Sequence, residues 1–260
     1  MTVEELIEKD KLITESIIEY GECKGISRKD LLWDGVASAE KYLDENNKYK
    51  IMWILKESHE KPGTCGYKAG VNIAEDRVTK DGKIITAENE RKRSLKVGRF
   101  GKPINPTLHG MTYVTYGLLN NIRYEDMIKH KTVLEMSESL TRIASANIRK
   151  DNGKTTSPRK RIEEGYEIWK RILFRQIEIY NPDILIFGGT FDFFKRDWIE
   201  KYGDISLKDD WFFQDNMLVI ITAHPSYPFR KEAKIKIKDY VDSIIERVEK
   251  ALKEKENRER

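Results

Sequence analysis

Four short strand-like runs, each ending in a polar or glycine motif and separated by longer stretches, several of helical periodicity, constrain this chain more than any other feature. The first, Tyr49-Lys50-Ile51-Met52-Trp53-Ile54-Leu55, is rich in bulky and β-branched side chains and ends at Lys56-Glu57-Ser58-His59. The others are Leu140–Asn147, Asp183–Gly189 and Met217–Ala223. The first and third runs, apolar without polar alternation, read as strands covered on both faces, the condition of a parallel sheet. Met217–Ala223 reads as a fourth strand, and Leu140–Asn147, which includes Thr141, Arg142 and Ser145, reads as a strand running into a polar loop. Between the second and third, Ile162, Tyr166, Trp169, Leu173, Ile177 and Tyr180 recur at helical spacing. Ser157-Pro158 supplies an N-cap and a helix-opening proline for that segment, and Asn181-Pro182 stops it. Weaker helical patterns lie near Thr112–Leu119 and Phe191–Ile199.

The amino terminus also reads as helical. Leu6, Ile7, Leu12, Ile13, Ile17 and Ile18 form one stripe, and a second helical stretch from Leu31 to Leu43 follows a break at Gly21 and Gly25. Strands alternating with helices give the predicted fold class: α/β, a single-domain three-layer α/β/α architecture around a central, mostly parallel four-stranded sheet. One domain is predicted over residues 1–260. Residues 1–47 are its N-terminal helices, 48–230 its core with a basic loop insertion at 58–111, and 231–260 its C-terminal helix. In such sheets ligands bind beyond the carboxyl ends of the strands, and all four predicted strands carry their motifs at that edge.

Composition narrows the setting. Of 260 residues 39% are hydrophobic and 35% charged, so the chain can bury a core while solvating many ionised groups. No apolar run reaches the roughly 18 residues of a membrane span, and Met1-Thr2-Val3-Glu4-Glu5 lacks the basic start of a secretory signal. A soluble cytoplasmic protein without membrane contact is expected. The two cysteines, Cys23 and Cys65, and the four histidines, His59, His109, His130 and His224, show no metal-ligand spacing. A structural zinc or a four-cysteine iron-sulfur cluster is therefore not expected, and both thiols read as free.

The net charge of +4 is modest, but its distribution is uneven. Arg91 to Lys102 carries six positive charges and no negative one, including Arg91, Lys92 and Arg93. Asn147 to Arg161 holds six basic residues, Arg149 and Lys150 among them, against Asp151 alone. Each reads either as a solvated loop or as a contact for a polyanion.

The ordered set Trp53-Ile54-Leu55-Lys56-Glu57-Ser58-His59, Ala144-Ser145-Ala146-Asn147, Ile184-Leu185-Ile186-Phe187-Gly188-Gly189 and Ala223-His224-Pro225-Ser226-Tyr227-Pro228 resembles the strand-end motifs of the uracil-DNA glycosylase superfamily, over roughly residues 48–230. The resemblance implies a uracil-DNA glycosylase-like fold and a monomeric enzyme that flips a nucleotide out of DNA and hydrolyses its N-glycosidic bond with no metal or cofactor. Breaking that bond leaves positive charge on the sugar and negative charge on the departing base. The site therefore needs a donor for a base oxygen, for which His224 fits, and a carboxylate or oriented water at the sugar, for which Glu57 fits.

This chain departs from the pattern in its first motif. Lys56 stands where the superfamily has glycine and His59 where it has proline, so Ser58 and His59 rival Glu57 for the catalytic register. Asn147 matches the residue that reads the base, its planar amide offering both donor and acceptor. The aromatic ring that stacks on the base falls among Tyr67, Phe100, Tyr113 and Tyr116. The resemblance further implies Tyr227 or Phe229 as a wedge in the duplex and Ser226 and Arg230 as phosphate contacts, flanked by the two basic segments.

The altered first motif and the long 58–111 insertion suggest a larger modified pyrimidine as substrate, in defence against viral DNA, with plain uracil and base-excision repair as the alternative. Two other classes compete: a non-catalytic nucleic-acid-binding module on the same fold, and a nucleotide-processing or phosphoester enzyme. The lack of a GxGxxG or GxxxxGK[ST] loop after any predicted strand counts against the last.

Overall fold

A computed structural model describes residues 1–57, 68–69, 77–78, 84–98, 102–151 and 158–259. In chain order the elements are α1 (Val3–Cys23), β1 (Trp33–Val36), α2 (Ala39–Tyr42), β2 (Ile51–Leu55), β3 (Lys68–Ala69), β4 (Arg77–Val78) and β5 (Ile84–Ile85). Then come α3 (Ala87–Ser94), α4 (Pro106–Asn120), α5 (Tyr124–His130), α6 (Val133–Met136), β6 (Ala144–Asn147), α7 (Arg159–Tyr180) and β7 (Ile184–Gly188). The chain closes with α8 (Phe191–Tyr202), β8 (Trp211–Gln214), β9 (Met217–Thr222) and α9 (Ile237–Glu259).

The sheet order is β3-β1-β6-β2-β7-β9-β8. Its middle four strands, β6, β2, β7 and β9, run parallel, in the register Leu55 to Asn147, Ile54 to Phe187 and Gly188 to Thr222. The strands outside them change the predicted picture. β1 lies antiparallel to β6 and β8 antiparallel to β9, so the sheet is mixed and six-stranded, with the two-residue β3 extending it beyond β1. A four-stranded sheet is therefore a correct reading of the centre and too small for the whole. β4 and β5 pair separately.

Every residue of β2 is buried. Met52 and Ile54 face a core shared with α1, α7 and α8, through Leu6, Ile17, Trp169, Leu173, Phe194 and Trp198. Ile51, Trp53 and Leu55 face a second core shared with α4, α5, α6 and α9, through Val114, Leu118, Met127, Met136 and Ile244. This alternation makes three layers, and it explains why β2 and β7 lack a polar face. Burying a Leu, Ile or Met side chain contributes about 1.5–3 kcal/mol, so a strand feeding two cores is held from both sides. Among the described residues no helix is long and apolar enough to cross a membrane.

Local chemistry sets the helix ends. Thr2 and Glu5 form a reciprocal capping box at α1. Asn105 accepts from the Leu108 N–H at 3.0 Å ahead of Pro106 at the start of α4. α7 ends at Asn181, whose left-handed backbone at φ 43° precedes Pro182, where the sequence predicts the stop. Its predicted start is shifted: Pro158 is the cap and Arg159 the first helical residue, while Ser157 lies outside the described residues.

Three further predictions need correction. The expected helix over Leu31–Leu43 is β1 followed by the single turn of α2. Gly35 explains part of this, because a Cβ there would lie 2.4 Å from both Asp10 Oδ1 and the Tyr180 hydroxyl. The strand expected from Leu140 begins only at Ala144, since Ser137–Arg142 winds as a 3₁₀ turn. The basic segment expected as a loop from Arg91 is in part α3, capped by Thr86.

Candidate active site

The chain leaves β2 toward β6 on one side and leaves β7 toward β9 on the other. That reversal opens a crevice between the carboxyl ends of β2 and β7, the standard ligand position in such sheets. Leu55-Lys56-Glu57 and Gly188-Gly189-Thr190 form its two walls. Thr190 Oγ1 donates to the Ile54 carbonyl at 2.9 Å and ties the walls together. Gly188 and Gly189 keep the rim between β2 and β9 low. A Cβ on Gly188 would approach Pro225 Cδ at 3.0 Å, and one on Gly189, which has φ +70°, would approach the His224 N at 3.2 Å.

Glu57 is the best-defined acid here. Its side chain is 5% exposed and its Oε2 lies 3.8 Å from Arg149 Nη1. Neither atom has a hydrogen-bond partner among the described residues. Arg149 is in turn gripped by Asp151, through Nε to Oδ1 at 2.9 Å and through Nη2 to Oδ2. The Arg149 side chain lies across α7 where Gly165 leaves room for it. Its backbone N–H donates to the Lys56 carbonyl at 3.0 Å, so the segment after β6 stays zipped to the end of β2.

Half-buried Lys56 has its ammonium pKa pulled down, first by burial and then by the nearby Arg230 and Arg159 guanidinium groups, against the carboxylates of Glu57 and Asp192. Arg159 is held by Glu163 at 2.8 Å and Asp192 at 3.6 Å and lies over the Phe193 ring.

Across the glycine rim, β9 delivers the His-Pro-Ser loop. Tyr240 on α9 donates to the Ala223 carbonyl at 2.9 Å, and Gly110 on α4 receives the Pro225 carbonyl so closely that a Cβ would lie 2.2 Å from it. The loop is thus pinned from two helices. Ser226 N–H donates to His224 Nδ1 at 3.3 Å, with Ser226 Oγ 2.9 Å from the same nitrogen. A backbone N–H can only donate, so Nδ1 acts as acceptor and a neutral ring carries its proton on Nε2. His224 is then a hydrogen-bond donor through Nε2. With β7 between β2 and β9, the Glu57 and His224 ends are two strand spacings apart, roughly 10 Å.

Asn147 ends β6 beside this crevice, but its amide is already engaged. Its backbone N–H and its Nδ2 both donate to Asp34 Oδ2, at 2.6 and 3.3 Å. The other Asp34 oxygen accepts from Lys150 Nζ at 2.5 Å and Gln176 Nε2 at 3.0 Å. Lys150 and Asp34 are fully buried, and burial pulls the Lys150 ammonium pKa down in spite of the carboxylate beside it. The predicted phosphate contact at Lys150 is therefore corrected: the charge neutralises Asp34 inside the protein. Arg149, 8% exposed and paired, is corrected in the same sense.

The other predicted residues divide. Arg91, Lys92 and Arg93 lie on α3 and pair with Glu138, Glu88 and Glu90, so their positive charge is locally compensated. Tyr113 packs edge-on against Tyr124 at 5.0 Å in the α4–α5 layer, and burial pushes its hydroxyl pKa up to about 12. It does not present a free ring at the strand ends. Ser226 is buried, Tyr227 and Phe229 are partly exposed on the turn that follows, and Arg230 is exposed. Ser58, His59, Tyr67, Phe100 and Cys65 lie outside the described residues.

Sequence reading passed over Asp34 and His109. His109 is buried, its Nδ1 3.0 Å from the Asn105 carbonyl and its ring edge-on to Phe229 at 6.2 Å. Burial holds its pKa below the ordinary histidine value. Asn105-Pro106 at a helix start, four residues before a histidine, was the available signal for that bond. Among the described residues no group of three or more His, Cys, Asp or Glu could hold a metal ion. No protein-family model matches this chain, and neither does any curated protein.

Proposed function

We propose that this protein is a monofunctional DNA glycosylase of the uracil-DNA glycosylase type, acting as a monomer on a flipped, modified pyrimidine. The observation that carries the reading is the pairing, across a glycine rim, of a buried carboxylate with an imidazole whose Nε2–H is fixed as a donor. Glu57 orients a water toward C1′ of the sugar. As the glycosidic C–N bond breaks, the base leaves with the bonding electrons, and His224 Nε2–H supports the charge growing on its carbonyl oxygen. Water supplies the hydroxyl at C1′ and the proton taken up by the base. Asn147 reads the base with the amide hydrogen and oxygen that Asp34 does not occupy. The partly exposed Tyr227-Pro228-Phe229 turn is suited to wedge the duplex, and Lys56 and Arg230 supply positive potential for phosphates.

The test is abasic-site formation on DNAs carrying uracil, deaminated purines, hydroxymethylcytosine or its glucosylated form, read by strand breakage after alkali. One modified pyrimidine is expected to be released by the wild type and retained by Asn147→Ala. Release of plain uracil with none of the bulky bases overturns the substrate class. Salt-sensitive DNA binding with no abasic product from any substrate overturns the enzyme in favour of a binding module.

A further inference from the structure

Arg149 sits where the sequence suggested a phosphate contact, yet its guanidinium faces inward. Three features set it apart from an ordinary surface cation. Asp151 takes two of its nitrogens, Nε and Nη2, in a forked pair that fixes the plane of the group. Gly165 leaves room for its stem, because a Cβ there would stand 2.3 Å from Arg149 Cγ. The remaining nitrogen, Nη1, is buried and faces Glu57 Oε2 at 3.8 Å, with neither atom hydrogen-bonded among the described residues. A buried donor and acceptor left facing each other beyond hydrogen-bond distance are costly as a resting arrangement. A small approach of the two, or one bridging oxygen, satisfies both.

We infer that Arg149, clamped by Asp151 and seated on Gly165, is a positioning residue for the Glu57 carboxylate, gripping Oε2 so that Oε1 is left to orient the attacking water. This rests on the glycosylase reading above. Arg149 touches neither base nor sugar in this account. It acts through Glu57, which also interacts with Lys56 on the same strand end, and Lys56 in turn feels Arg230, Arg159 and Asp192.

The experiment compares single-turnover base release and the salt dependence of DNA affinity for the wild type, Arg149→Ala, Asp151→Asn and Gly165→Ala, with and without millimolar methylguanidinium. For Arg149→Ala the release rate is expected to fall on the order of 100-fold, the usual consequence of misplacing a reacting group by about 1 Å. DNA affinity and its salt slope stay unchanged, and methylguanidinium restores part of the rate in this variant alone. Gly165→Ala keeps every charge but displaces the arginine stem, so it is expected to lose rate without losing affinity, and it carries the test if Arg149→Ala fails to fold.

An unchanged rate in both variants overturns the inference. So does a weaker affinity with a salt slope reduced by about one, which marks a phosphate contact. A rate lost in both variants, with no rescue of Arg149→Ala by methylguanidinium and a lowered unfolding midpoint in each, also overturns it, because that describes a purely structural pair. If the wild type releases no base from any DNA, the glycosylase reading falls first and this inference falls with it.

Discussion

Replacing Lys150 by Met is expected to lower the free energy of unfolding by about 3–5 kcal/mol, the loss typical of removing one partner from a buried ion pair. The pair itself contributes little net stability, since burial depresses the Lys150 ammonium even with Asp34 at 2.5 Å. Removing the lysine is a different matter. The Asp34 carboxylate would remain fully buried, with the donors of Asn147 and Gln176 but no countercharge. Against a domain stability of about 5–15 kcal/mol the loss is large. Urea denaturation checks it, as a lower midpoint at unchanged slope. A surface phosphate contact would behave oppositely: Met at position 150 would leave unfolding within about 0.5 kcal/mol of wild type and flatten the salt dependence of DNA binding. The same network holds Asn147, so the variant also loosens the residue proposed to read the base.

That network marks where sequence reasoning stops. β2, β7 and β9 are legible because each is a contiguous apolar run that must be covered on both faces, and α7 and α9 because their apolar residues keep one stripe over many turns. β1 is four residues long and includes an aspartate and a glycine. It looks like no strand until Lys150, 116 residues further on, supplies the charge that lets Asp34 be buried. β8 is equally short, and only pairing with β9 defines it.

The site shows the same division. Glu57 and His224 are visible because strand ends in a parallel sheet converge on one edge wherever the helices lie. Arg149 and Lys150 read as surface charge because Asp34 and Glu57, which meet them in space, lie far back in the chain, and Asp151, two residues on, does not by itself show that Arg149 turns inward. Arg91, Lys92 and Arg93 fail differently: two of their partners, Glu88 and Glu90, stand one helical turn away in plain sight, but only once the segment is recognised as α3.

The second large effect falls on chemistry and leaves the fold intact. His224→Ala is expected to reduce the single-turnover rate of base release by about 10²–10³-fold, the cost of deleting one preorganised donor at a developing oxyanion. DNA affinity should hold, because the change removes an interaction formed mainly in the transition state. The geometry orders the neighbouring variants. Ser226→Ala removes the hydroxyl 2.9 Å from Nδ1 but keeps the backbone N–H that donates to the same nitrogen, so the ring keeps its Nε2 proton and the rate falls far less. His224→Gln retains an N–H donor at that position and is expected to lie between Ser226→Ala and His224→Ala. Equal losses in all three would mean that the loop as a whole, pinned by Gly110 and Tyr240, matters more than the donor it carries. A rate in His224→Ala within a few-fold of wild type would remove the imidazole from the mechanism and leave Glu57 as the only group of the pair with chemistry to do.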